Sequence, residues 1–260
     1  MNRGAGIRTC GVGAKPSDAS ATIADMNVAD AKGRRFDAAT GIGFSILAIV
    51  GFALPGTPPN ASDSAAKVAT FLADHRKDIV VGNFLIGLAA ILFLWFAGAL
   101  RSYLRAGEGG EGRLSAASFG GGVAGIALLL VGAGILNAFA FQLGKGPGGA
   151  MSPDLARAVF DASGALLAMS AMCFGAFLAA AACSGARSGA LPPWAYWIAS
   201  VVAVMQLVAG LSLFVDSGFL ASGGAFPTFV APLSAFAWIV AVSVLMMRRD
   251  GVPPVPRTAP

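Results

Sequence analysis

Asp161 sits at the edge of a long apolar run, and Arg157 lies four residues before it. On a helix that spacing puts both side chains on one face. The two then form an ion pair that anchors a helix end, or they leave a carboxylate able to take up a proton or cation at a membrane margin. Asn83, Asn137 and Gln142 are polar side chains inside other apolar runs. Such groups either bond across helices or line a polar cavity. His75 and Asp216 fall in the connections between runs. The candidate set is therefore Asn83, Asn137, Gln142 and Asp161 for a polar cavity, with His75 and Asp216 in the loops above it. Its chemistry would be binding or coupled transport of a small molecule or ion. Gln206 stands alone near the middle of a run, and we read it as bonding a neighbouring backbone.

The residue sets that enzymes need are missing. The chain has one histidine and three cysteines, with no C-x-x-C. Cys173 and Cys183 lie in one run, about 15 Å apart along a helix, too far for one metal or a disulfide. Cys10 lies in a polar tail. No serine stands in a nucleophile-elbow context beside a base, and no arginine series marks a voltage sensor. We expect no enzyme activity, no metal and no cofactor.

The elements that position these residues follow from composition. The 260 residues are 56% hydrophobic and 12% charged, with a mean hydropathy of +0.74. Soluble domains carry about 25% charged residues. Six runs lack Asp, Glu, Lys and Arg: Ala38–Leu54, Ile79–Leu100, Phe119–Leu143, Ala162–Cys183, Leu191–Val215 and Phe226–Met247. Each approaches or exceeds the roughly 20 residues that span a bilayer as a helix. The expected fold is all-α, a polytopic membrane bundle of six transmembrane helices over residues 38–249. Residues 1–37 form a disordered cytoplasmic tail and 250–260 a second cytoplasmic tail. Pro192 and Pro193 open the fifth helix, and Pro232 kinks the sixth or marks a later start.

Orientation follows from the basic residues. Thirteen Lys and Arg lie in the two tails and in the loops holding Arg101, Arg105, Arg113 and Arg187. Five lie on the other side: Lys67, Arg76, Lys77, Lys145 and Arg157. The richer side stays in the cytoplasm, so both termini face it. Trp95, Tyr103, Trp194, Tyr196 and Trp197 fall near that face, as an aromatic belt does. The formal charge of +5 thus reads as membrane topology and contact with anionic lipid rather than nucleic-acid binding. With an Ala- and Gly-rich composition, the expected place is a bacterial inner or plasma membrane, with the lipid bilayer as partner.

The first outer loop is the richest. Pro55, Pro58 and Pro59 end the first span, and Ser62, Asp63 or Ser64 can cap a helix. Val68, Phe71, Leu72 and His75 then repeat at helical spacing. Asp63 and Lys67 make an i,i+4 pair. We expect a short extracytoplasmic amphipathic helix that packs its apolar face down as a connector; the other reading is a lid over a cavity. The fifth loop, "DSGFLASGGAFP", reads as a buried turn or as a re-entrant segment. Gly121 and Gly125 form a small-x-x-x-small pair suited to close helix packing. Arg34-Arg35-Phe36 is similar to a twin-arginine signal, but no A-x-A site follows the first run. Met26 is an alternative start.

"GFALPGTPP" closes the first span, "VATFLADHR" leads into "FLIGLAAILFLWFAGALR", and "LPPWAYW" opens the fifth helix. In this layout, over roughly residues 40–249, the chain resembles small bacterial multi-pass membrane proteins of the domain-of-unknown-function type. The resemblance implies a membrane bundle. It brings no activity and no functional residue.

Overall fold

Lipid removes the usual reason for helices to associate, because acyl chains are as apolar as leucine. Close backbone packing and hydrogen bonds between helices must hold such a bundle instead. A computed structural model describes residues 16–108, 110–142 and 152–249. Among them are seven α-helices: α1 (Pro16–Ala53), α2 (Ala65–Asp74), α3 (Arg76–Glu108), α4 (Arg113–Gln142), α5 (Pro153–Ser188), α6 (Pro193–Gly210) and α7 (Ala231–Arg249). All but α2 contribute a segment long and apolar enough to cross a membrane, which gives the chain a multi-pass membrane character. The described residues contain no strand.

The six long helices close a ring. α1 packs on α3, α3 on α4, α4 on α5, α5 on α6, α6 on α7, and α7 back on α1. Outside the ring α3 presents Val81, Phe84, Leu88, Ile91 and Trp95, spaced three and four apart and exposed. Its opposite stripe, including Ile86, Ala89, Phe93 and Phe96, is buried. An apolar exterior of this kind suits lipid rather than water.

Glycine and serine make the seams. A methyl group added to Gly82 on α3 would stand 2.5 Å from the carbonyl oxygen of Gly51 on α1, so the two backbones touch. On α4, Gly121 lies against the backbone of Phe177 and Gly125 against the Phe174 ring, as expected of that small pair. Three hydroxyls cross the same α4–α5 seam. Ser118 Oγ donates to Phe177 O at 3.0 Å, Ser163 Oγ to Gly132 O at 3.2 Å, and Ser170 Oγ to Gly125 O at 2.7 Å.

An aromatic cluster fills part of the interior of the ring. Phe93 on α3 lies 5.0 Å from Phe44 and 5.7 Å from Phe177, and Phe177 meets Trp238 edge-on at 6.0 Å. The Trp238 indole N–H donates to Ala195 O at 2.9 Å, so its one polar group is satisfied.

Three helices differ from the apolar runs. α1 is already helical at Pro16, well inside the segment expected to be a disordered tail. Once a membrane helix exists, extending it needs no new nucleus, and this Ala-rich stretch has no glycine between Pro16 and Gly33. α6 stops at Gly210 and continues as a 3-10 turn, Leu211–Phe214, before the fifth apolar run ends. α7 is preceded by a π-helical turn, Phe226–Val230. Pro227 and Pro232 each lack the N–H that an α-helical ladder would use there, so the chain winds wide before settling into α7.

Candidate functional site

Call the end of the ring that carries the α1–α2 and α6–α7 segments the loop end. α2 covers part of it. Ser64 caps the helix and accepts from Lys67 N. Val68 and Leu72 are buried with Ile79 of α3, Ala140 of α4 and Ala156 of α5, and Phe71 packs beside them. The apolar face expected from the spacing is therefore real, and it rests on the bundle. The α6–α7 segment meets the same region. Ser222 O accepts from Ala61 N at 2.9 Å, and Gly223, at φ +79°, lies so close to Pro59 O that no side chain fits. This segment is a compact turn with Ala221 fully buried.

Arg157 joins these pieces. Its Nε donates to Asp161 Oδ2 at 2.7 Å, one terminal nitrogen to Asp63 O at 2.6 Å, and the other to Ala61 O. Only a planar guanidinium can serve three acceptors in this way. Asp63 in turn accepts from Lys67 Nζ and from Asn60 N, both at 2.8 Å. The Lys67 hydrogen bond first, then the Asn60 amide, holds the Asp63 carboxyl below the usual carboxylate range. With a lowered folded value, this contribution is complete above the ordinary carboxylate pKa and disappears as pH falls through the lowered one.

The candidate residues lie in separate places. Asn83 and Asn137 do meet: Asn83 Nδ2 donates to Asn137 Oδ1 at 3.1 Å and to Ala133 O at 3.2 Å, clamping α3 to α4. Gln142 ends α4, and its side chain lies outside the described residues. Asp161 is half exposed and paired with Arg157. His75 caps α2, stacks on Phe71 at 4.7 Å and places Nδ1 3.2 Å from Phe71 O. That carbonyl only accepts, so Nδ1 carries the proton. Asp216 is exposed beyond the 3-10 turn. Among the described residues no three His, Cys, Asp or Glu side chains gather to hold a metal ion.

A cavity of about 90 Å³ lies elsewhere, inside the ring toward the loop end. All six long helices contribute to its wall, and none of Asn83, Asn137, Asp161, His75 or Asp216 does. Phe44, Phe174 and Phe236 line it and also belong to the aromatic cluster, which forms its floor. Most of the wall is aliphatic. The polar exceptions are Ser170, Gln206, Ser212, Ser222 and Thr228. As expected, Gln206 bonds a backbone carbonyl, that of Ala231, at 3.0 Å. The sequence marks Ser222 only as one of the small residues in the fifth loop and does not single out Ser212 or Thr228; the three line one cavity only through the α6–α7 turn.

A second hollow, at the opposite end, is lined by Glu108, Glu111, Arg113 and Arg187. Three of these four charged side chains already have partners. Arg113 pairs with Glu111 at 2.8 Å, and Glu108 accepts from Ser115 N at 2.7 Å and from Ser184 Oγ. No protein-family model matches the chain, and comparison with curated proteins and with solved structures yields no match either.

Proposed function

We propose that this chain is a non-enzymatic protein of a bacterial inner or plasma membrane, with both termini in the cytoplasm, that binds an apolar small molecule inside its helix ring. The cavity carries this reading. All six long helices contribute to its wall, the wall is mainly aliphatic, and the space reaches several times what one water needs. The distribution of thirteen basic residues against five supports the orientation, which makes the loop end and α2 extracytoplasmic. Hexadecane bearing a mid-chain diazirine tests it in lipid nanodiscs. On irradiation it should label cavity-lining peptides of the wild type, and Ala209→Leu, which fills the wall, should cut that labelling about tenfold. Equal labelling of the two proteins would end the reading.

The second reading is transport of a small molecule or ion, with Asp161 as the coupling group. Its support is the position of a half-exposed carboxylate beside the segments that close the loop end. On this reading, vesicles carrying Asp161→Asn should show reduced proton flux. Flux equal to wild type would remove it.

A further inference from the structure

The cavity wall has two sides. Phe44, Ala48, Ile86 and Ala89 represent the apolar side, from α1 and α3. Facing them from α6 and the turn into α7 are Gln206, Ser212, Ser222 and Thr228. Gln206 is 4% exposed. Its Nε2 is committed to the Ala231 carbonyl, which can only accept, so the orientation of the amide is set. Gln206 Oε1 accepts no hydrogen bond among the described residues, and the three hydroxyls likewise have no partner there. Ser243 Oγ is the one side-chain atom among the described residues that is both sealed and unpartnered. The four groups at the cavity wall therefore keep accessible surface and hydrogen-bonding capacity. Pro232 adds to this arc, because it offers no N–H to the carbonyl one turn back.

No ionisable side chain lines the cavity. An ionised head would lose its water and find no opposite charge. A plain hydrocarbon would fill the wall yet leave a buried amide oxygen without a donor. Building on the binding function proposed above, we infer that the ligand is a single-chain, uncharged amphiphile whose head carries a hydroxyl or amide N–H. The head bonds Gln206 Oε1, and the chain lies against α1 and α3. Phe52 and Leu167 line the cavity and are each 38% exposed, so the wall continues to the outer surface and a chain longer than the cavity passes into lipid.

Three diazirine probes of one chain length test this in nanodiscs at pH 8: hexadecan-1-ol, hexadecanoic acid and hexadecane. The alcohol should label the cavity roughly fivefold more than the acid or the alkane, the factor expected of one satisfied buried hydrogen bond. Gln206→Leu should bring alcohol labelling down to the level of the alkane in the same variant. Ser234 Oγ also donates to Ala231 O, at 2.7 Å, so that carbonyl keeps a partner in the variant. The double variant Ser212→Ala, Thr228→Val should lower alcohol labelling in the same direction. Acid labelling equal to or above the alcohol, or alcohol labelling unchanged in Gln206→Leu, overturns the head-group inference while the cavity reading stands. Absence of all three probes from the cavity overturns both.

Discussion

Gly82→Val will separate α1 from α3 and lower the stability of the folded bundle by about 3 kcal/mol. The contact is backbone on backbone. A Cβ on Gly82 would stand 2.5 Å from Gly51 O, and one on Gly51 would stand 2.8 Å from Gly82 O. Neither oxygen belongs to a side chain that can rotate away, so the whole helix must retreat. Retreat weakens the dispersion contacts of the seam, which in lipid are a main source of helix association. It also draws α3 away from the Phe44–Phe93 ring contact at 5.0 Å. Unfolding in mixed micelles, followed by the fluorescence of the buried Trp238, measures the loss. Gly87→Ala is the matched control on the same helix, because nothing lies within 4 Å of its added carbon. It should change stability by no more than about 0.5 kcal/mol. A Gly82→Val protein as stable as the Gly87→Ala protein would refute the close α1–α3 contact.

Arg157→Met should release the α1–α2 segment from the bundle, with a local loss of about 3 kcal/mol. The substitution keeps much of the apolar stem and removes the guanidinium, so the Ala61 and Asp63 carbonyls lose a charged donor together. Amide hydrogen exchange reports this directly. The Ala61 amide, which donates to Ser222 O, and the first turns of α2 should exchange about a hundredfold faster, while the centre of α3 stays protected. Arg157→Lys should recover less than half, because an ammonium on a flexible stem cannot hold both carbonyls and Asp161 in one plane. Asp161→Asn should cost about 0.5 kcal/mol or less in the same measurement, since its half-exposed ion pair is screened by solvent. After correction for intrinsic rates, exchange at Asn60 should stay level between about pH 7 and pH 5 and rise below about pH 4, as Asp63 takes up a proton. Asp63→Asn should abolish that rise. Unchanged exchange in Arg157→Met would mean that the segment is held by α2 packing alone.

The spans were legible because lipid imposes a simple demand, a run of apolar residues with every backbone group bonded within the helix. α2 was legible for a similar reason: Val68, Phe71 and Leu72 announce a buried face by spacing alone. Helix ends were less so. Hydropathy does not register that α1 can continue back to Pro16, or that α6 changes to a 3-10 turn at Gly210 inside an apolar run. Those boundaries depend on backbone hydrogen bonding and on the neighbours that each end meets.

For the site, residue type was informative and partnership was not. Asn83 and Asn137 stood out as polar groups in apolar runs, yet only packing decided that they bond each other across α3 and α4. Arg157 was expected beside Asp161, but its grip on Ala61 and Asp63 joins residues more than 90 positions apart in the chain. By itself, the sequence determined that the chain holds six helices long and apolar enough to span a membrane and a short amphipathic helix after the first of them. Those properties follow from local composition and period. Only the tertiary structure decided that the ring leaves an apolar cavity and that Gln206, Ser212, Ser222 and Thr228 share one side of it. A cavity is the space that several helices fail to fill together, and no single stretch of sequence contains it.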